Sequence, residues 1–202
     1  MSPAPDSAAL ATLIRGLGEQ DAEVRERAGA ELFRRGCELG HAGAARWFAD
    51  LEFAKHFVLD ASRFPPTTVG IAVTPQSFER IRAANDSPRL ADVPPDQDAK
   101  EFELHLAQGI QLDILTTREP AGTGAIARYL QKFGEGIQQI EFLTRSVDAA
   151  TQILRSRFGV QPIYPATRPG ADGTRVNFYL ASAAEGTKVL IELVEAPAAT
   201  RH

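Results

Sequence analysis

The chain has 202 residues, enough for one large domain or a domain with an appendage, and its 44% hydrophobic content is ordinary for a globular protein. A net charge of −4, a pI near 5.6 and scattered lysines and arginines leave no basic footprint, which argues against nucleic acid or an anionic membrane surface as partner. Cys37 is the only cysteine, which excludes an intramolecular disulfide and a multi-thiolate zinc site; with no basic leader and no bilayer-length apolar span, a soluble, cytoplasmic protein is expected.

Residues 1 to about 63 read as a helical appendage rich in Ala, Leu, Arg and Glu. Asp6 or Ser7 can cap a first helix through Leu17. Asp21 can cap a second, with Val24, Ala28 and Leu32 at i+4 spacing and Gly36 or Gly40 as its stop. A third helix is expected from about Ala42 to Leu59, with Trp47, Leu51, Ala54 and Val58 on one stripe. Helices of this size cannot bury their stripes alone, so they are expected to dock on the rest of the chain or on a second subunit.

Phe64, Pro65 and Pro66 mark the joint, because the residue before a proline is pushed out of the α region. From there the pattern predicts a strand over 68–73, a helix over 75–84, an irregular stretch with Pro88, Pro94 and Pro95, and strands near 101–107 and 110–117. A linking helix over 123–133, capped by Thr123, leads to a strand over 138–144 and a helix over 147–157. Strands near 160–164, 175–181 and 188–194 complete the chain, giving an α+β class with mostly antiparallel sheet.

This second part repeats itself. TTVGIAVTPQSFERIRA from Thr67 has the plan of QQIEFLTRSVDAATQILRS from Gln138, and ELHLA and NFYLA each precede an apolar strand with one central acid, Asp113 or Glu192. Modules of about 67–118 and 137–197 follow, within a domain over 64–202. Strand residues two apart share a face, so Ile140 and Phe142 belong to a core while Gln139 and Glu141 look the other way. The same alternation puts Asp113 opposite Leu112 and Ile114, and Glu192 opposite Ile191 and Leu193. Thr68, Asp113, Gln139 and Glu192 then line one cleft if the two copies pair.

The segment GEGIQQIEF, the helix IARYLQKF before it and the terminal KVLIELVEAP resemble the vicinal oxygen chelate superfamily, in its methylmalonyl-CoA epimerase and glyoxalase branch. The resemblance covers about 67–197 and implies paired βαβββ modules forming a U-shaped sheet around a divalent metal. Its ligands would come from the first and last strands, places held here by Thr68, Asp113, Gln139 and Glu192. None of His41, His56, His105 and His202 falls on the first-strand positions where the epimerases carry histidine. The implied metal set is therefore Asp113, Gln139 and Glu192, all oxygen donors, which favours Mg²⁺ or Mn²⁺ over zinc or nickel. Family members also pair modules across a dimer, so the helices would cover a sheet edge or join a homodimer.

Two functions are compatible with these residues. One is an epimerase, isomerase or lyase acting next to the carbonyl of a small acid or thioester, with Glu192 as base or metal ligand and Thr68, Gln139 and Glu141 on the ligand. The other is a non-catalytic module that uses the same cleft to hold a small molecule. Plain structural roles stand beside both: Arg145 or Arg175 as ion-pair partners of the acids, Glu141 as a wet face, His105 at a solvated edge, and Cys37 as a packed small residue.

Overall fold

The structure, a computed structural model, describes residues 5–183 and 187–197. Its helices are α1 (Pro5–Gly16), α2 (Ala22–Phe48), α3 (Leu51–Ala54), α4 (Pro75–Ala84), α5 (Ala125–Phe133) and α6 (Val147–Phe158). Its strands are β1 (Thr67–Ala72), β2 (Ala99–His105), β3 (Gln111–Thr117), β4 (Gly136–Thr144), β5 (Arg168–Pro169), β6 (Arg175–Ser182) and β7 (Lys188–Glu195). The α+β class and the strand–helix–strand order of both halves are as the sequence predicts. Among the described residues no helix is long and apolar enough to cross a membrane.

The chain forms two compact units, the first from residues up to Gly36 with Thr68–Gln138, the second from Cys37–Thr67 with the residues from Gln139 on. In the first unit β3 lies between β1, to which it is parallel, and β2, to which it is antiparallel. In the second, β7 runs parallel to β4 and antiparallel to β6, and β5 adds two residues at the edge. The registers match: Asp113 sits opposite Gly70, two residues past Thr68, and Glu192 sits opposite Glu141, two residues past Gln139. This is the equivalence the repeat implies.

One face of each sheet is its core. Val69, Ile71, Leu112, Ile114 and Phe102 are fully buried in the first unit, where Phe78 of α4 meets the Phe102 ring edge-on at 4.8 Å. Ile140, Phe142, Ile191, Leu193 and Tyr179 are fully buried in the second, where Thr151 of α6 shares a 2.5 Å hydrogen bond with the Tyr179 hydroxyl. Thr74 and Ser146 cap α4 and α6 through their side chains, which is why both helices start where the sequence places them.

The N-terminal helices depart from expectation in three places. Asp21 caps α2 through a 2.8 Å bond from the Glu23 amide, but α2 then runs 27 residues, through Gly36 and Gly40. Close packing overrides the stop signal, because a Cβ at Gly36 would lie 2.4 Å from Val69 and one at Gly40 would lie 2.5 Å from Ile140. Asp50 then ends the run by capping α3, accepting from the amides of Glu52 and Phe53. The break rotates the stripe: Trp47 and Ala54 are buried as expected, whereas Leu51 is 74% and Val58 60% exposed. Phe48, Phe53 and Phe57 occupy the core instead, where the Phe48 ring meets those of Phe53, Phe57, Phe64 and Phe142 edge-on.

Two smaller corrections follow from proline and glycine chemistry. Residues 160–164 are not a strand, since Pro162 and Pro165 remove ladder donors; a single bond from the Ile163 amide to the Phe178 carbonyl remains, and pairing begins at Arg168. The N-cap of α5 is Gly124 rather than Thr123, and it makes no side-chain cap bond.

Candidate functional site

The face of the second unit opposite α2 and α6 carries a small array of side chains whose positions follow from strand register. Gln139, Leu190 and Leu180 form one row across β4, β7 and β6; Glu141, Glu192 and Phe178 form the next; Leu143, Val194 and Val176 form the third. Helix contacts fall on the other face, where Gly40 of α2 meets Ile140 and Gly43 meets Val189 and Ala181. The helices therefore leave this array uncovered within the unit.

At its centre the Gln139 side-chain amide donates from Nε2 to Glu192 Oε2 at 2.6 Å and to Glu141 Oε1 at 3.0 Å. Gln139 and Glu192 are each 7% exposed. A buried carboxylate costs several kcal/mol unless hydrogen-bonded, and one amide supplies donors to both acids here. Arg175, considered as a partner for Glu192, instead bridges Asp148 and Glu195, and Arg145 donates to the Lys55 carbonyl. Around the polar centre Leu143 and Leu180 stand 45% and 56% exposed, an unusual amount of bare apolar surface for two neighbours of a buried acid.

Thr68 and Asp113 belong to the corresponding face of the first unit. The Thr68 hydroxyl reaches Gln111 Oε1 at 3.4 Å, and Asp113 is 6% exposed between Gly70 and Glu103. His105 lies at the exposed end of β2 and contacts Glu103 at 2.9 Å, in keeping with a solvated edge. Burial pushes the Cys37 thiol up to about 11, which keeps it protonated and inert, in line with a packing role.

Both first-strand side chains act as hydrogen-bond donors: the Thr68 hydroxyl to Gln111, and the Gln139 amide to Glu192 and Glu141. Among the described residues no three His, Cys, Asp or Glu side chains gather as a metal-holding group.

The apolar rim escaped the sequence reading. Phe178 and Leu180 in NFYLA and Leu143 in EFLT share the parity of Glu192 and Gln139, so alternation alone places them on that face. A separate cavity of about 430 Å³, lined by Asp148, Arg155, Thr167 and Asn177 among others, borders α6 and the helix-covered side of β6.

No protein-family profile and no curated protein matches the chain. Among solved structures, methylmalonyl-CoA epimerase from Mycobacterium tuberculosis is 31% identical with a TM-score of 0.54, covering 71% of this chain and 96% of its own. A variant methylmalonyl-CoA epimerase from Streptomyces coelicolor in complex with 2-nitronate-propionyl-CoA is 26% identical at a TM-score of 0.52, covering 67% and 96%. A methylmalonyl-CoA epimerase in complex with methylmalonyl-CoA and NH4+ is 27% identical at 0.50, covering 65% and 93%. With matching registers in its two halves and this likeness over nearly the whole of an epimerase, the chain belongs to the vicinal oxygen chelate superfamily, in its methylmalonyl-CoA epimerase and glyoxalase-like branch.

Proposed function

We propose that this protein removes and returns the proton on the carbon beside the carbonyl of a CoA thioester, as an epimerase or isomerase, with Glu192 as the base. The supporting observation is the buried Glu192 carboxylate held by Gln139 at 2.6 Å on a sheet face that its own helices do not cover. A general base must be positioned before it can be effective, and a short hydrogen bond from a buried amide helps to orient the carboxylate. The C–H bond breaks, an O–H bond forms at Glu192, and the electron pair passes to the thioester oxygen as an enolate; return of a proton restores the thioester, with inversion at C2 when it arrives on the opposite face of the enolate. The structural relatives that bind methylmalonyl-CoA or 2-nitronate-propionyl-CoA support the thioester as substrate class.

The test is proton exchange. The full chain, incubated in D2O with methylmalonyl-CoA or with a neutral 2-methylacyl-CoA, is expected to replace the C2 proton by deuterium, followed by proton NMR. Binding without exchange for either thioester would favour the second reading, a non-catalytic ligand-binding module, which the absence of histidine at Thr68 and Gln139 independently supports.

A further inference from the structure

The cavity of about 430 Å³ beside α6 has no part in the chemistry proposed for Glu192. Gln152, Arg155 and Ser156 line it from one stripe of α6, residues 165–167 face them, and the buried Thr151 and Asn177 lie beneath. Asn177 shares a strand face with Tyr179 and Ala181, so the cavity lies across β6 from Phe178, the neighbour of Glu192. We propose that this cavity is a second binding site, for a small phosphorylated polyol such as a sugar phosphate.

The walls are tied together at two points. Thr167 donates to Asp148 Oδ1 at 2.5 Å and Arg155 Nη2 donates to the Pro165 carbonyl at 2.8 Å, which fixes the irregular segment to α6 at places two helical turns, about 10 Å, apart. The slot between the ties is therefore formed before a ligand enters, which lowers the cost of binding. Beneath it, Thr151 Oγ1 donates to the Val147 carbonyl and shares a 2.5 Å bond with the Tyr179 hydroxyl. Asn177 uses one N–H on the Tyr164 carbonyl and one lone pair on the Phe178 amide, which leaves one of each for a ligand hydroxyl.

The two ends of the slot differ in charge. At one end the Asp148 carboxylate is matched by Thr167 and by Arg175, which also bridges Glu195. At the other, Arg155 is held by a neutral carbonyl and makes no ion pair among the described residues. That end is positive, and the Gln152 amide and Ser156 hydroxyl add neutral donors on either side of the guanidinium along the same stripe. Three donors at separate positions suit the three free oxygens of a phosphate monoester better than the two coplanar oxygens of a carboxylate. The middle suits a hydroxylated body, with Thr151 and Asn177 for its hydroxyls and Ala166 for its C–H face, and a volume of about 430 Å³ is that of a small-molecule site rather than of a bare anion.

The experiment is isothermal titration of the intact chain with ribose 5-phosphate, glycerol 3-phosphate, inorganic phosphate, ribose and gluconate, with amide NMR shifts locating each ligand. At least one of the two phosphate esters is expected to bind about tenfold or more tightly than inorganic phosphate, ribose or gluconate, and to shift the amides of α6 and of Ala166 and Thr167. Arg155→Met should weaken that ester about tenfold or more and Ser156→Ala several-fold; both residues are exposed, so folding is not at stake. No saturable binding of either ester, inorganic phosphate or gluconate binding as tightly as the better ester, shifts confined to other parts of the chain, or an Arg155→Met protein that binds like the parent overturns the proposal.

Discussion

Replacing Gln139 with leucine isolates the interaction on which the site depends. The substitution keeps the volume on β4 and deletes both donors, leaving Glu192 buried beside Glu141 without the amide. A hydrogen bond to a charged acceptor is worth about 1.5–3 kcal/mol and the partly exposed Glu141 bond about 0.5–1 kcal/mol, offset by about 1 kcal/mol from the added apolar burial. The expected loss is about 1–3 kcal/mol, or about 2–12 °C in Tm for a chain of this size. Urea denaturation of Gln139→Leu, Glu192→Leu and the double variant measures it. The double variant should be more stable than the sum of the singles predicts, by about 1.5 kcal/mol or more, because replacing both partners by apolar groups removes the stranded charge. If Gln139→Leu lies within about 0.5 kcal/mol of the parent and the cycle is additive, the amide does not hold Glu192 and the account of the site is wrong.

Gly40→Val should destabilise by about 1–3 kcal/mol although glycine is the poorer helix former, because its Cβ would meet Ile140 at 2.5 Å; a gain in stability by thermal melting would show that α2 does not pack there. Trp47→Ala should cost about 3–5 kcal/mol and Leu51→Ala less than about 0.5 kcal/mol, the reverse weighting of a uniform stripe, measurable by urea titration. Hydrogen bonding from Thr167, and then the Arg175 guanidinium, hold the Asp148 carboxyl below its ordinary value, so its stabilisation is complete above the unfolded value near 4 and disappears as pH falls through the lowered folded one. Asp148 is 61% exposed, so Asp148→Asn should cost under about 1 kcal/mol at pH 7, a difference that starts to narrow near about pH 4 and closes only once pH has fallen through the lowered folded value.

The sheet was legible because strand periodicity is short and the repeat doubles the signal. Two acids at matching offsets from two first strands gave the Thr68 and Gln139 equivalence, and Gly70↔Asp113 with Glu141↔Glu192 bears it out. The helices were less legible because glycine has two uses. At Gly36 and Gly40 it admits Val69 and Ile140 rather than ending a helix, a choice set by residues far along the chain. Asp50 as a cap inside the predicted third helix was a local signal open to reading, and it is what moved Leu51 and Val58 to the surface. At the site, face alternation put Gln139, Glu141 and Glu192 on one side, but which side chain bonds which depends on rotamers that a sequence does not contain. For the same reason the partners of Arg145 and Arg175 became visible only in the fold.

The most direct measurement of the central claim is the rate of C2 proton exchange by Glu192→Gln beside the parent, in D2O, with whichever thioester the parent exchanges. Glutamine keeps the shape at this position and cannot accept the proton. The account predicts a fall of at least about a hundredfold with a cooperative thermal melt retained. Exchange at the parent's rate in a folded Glu192→Gln protein would contradict it.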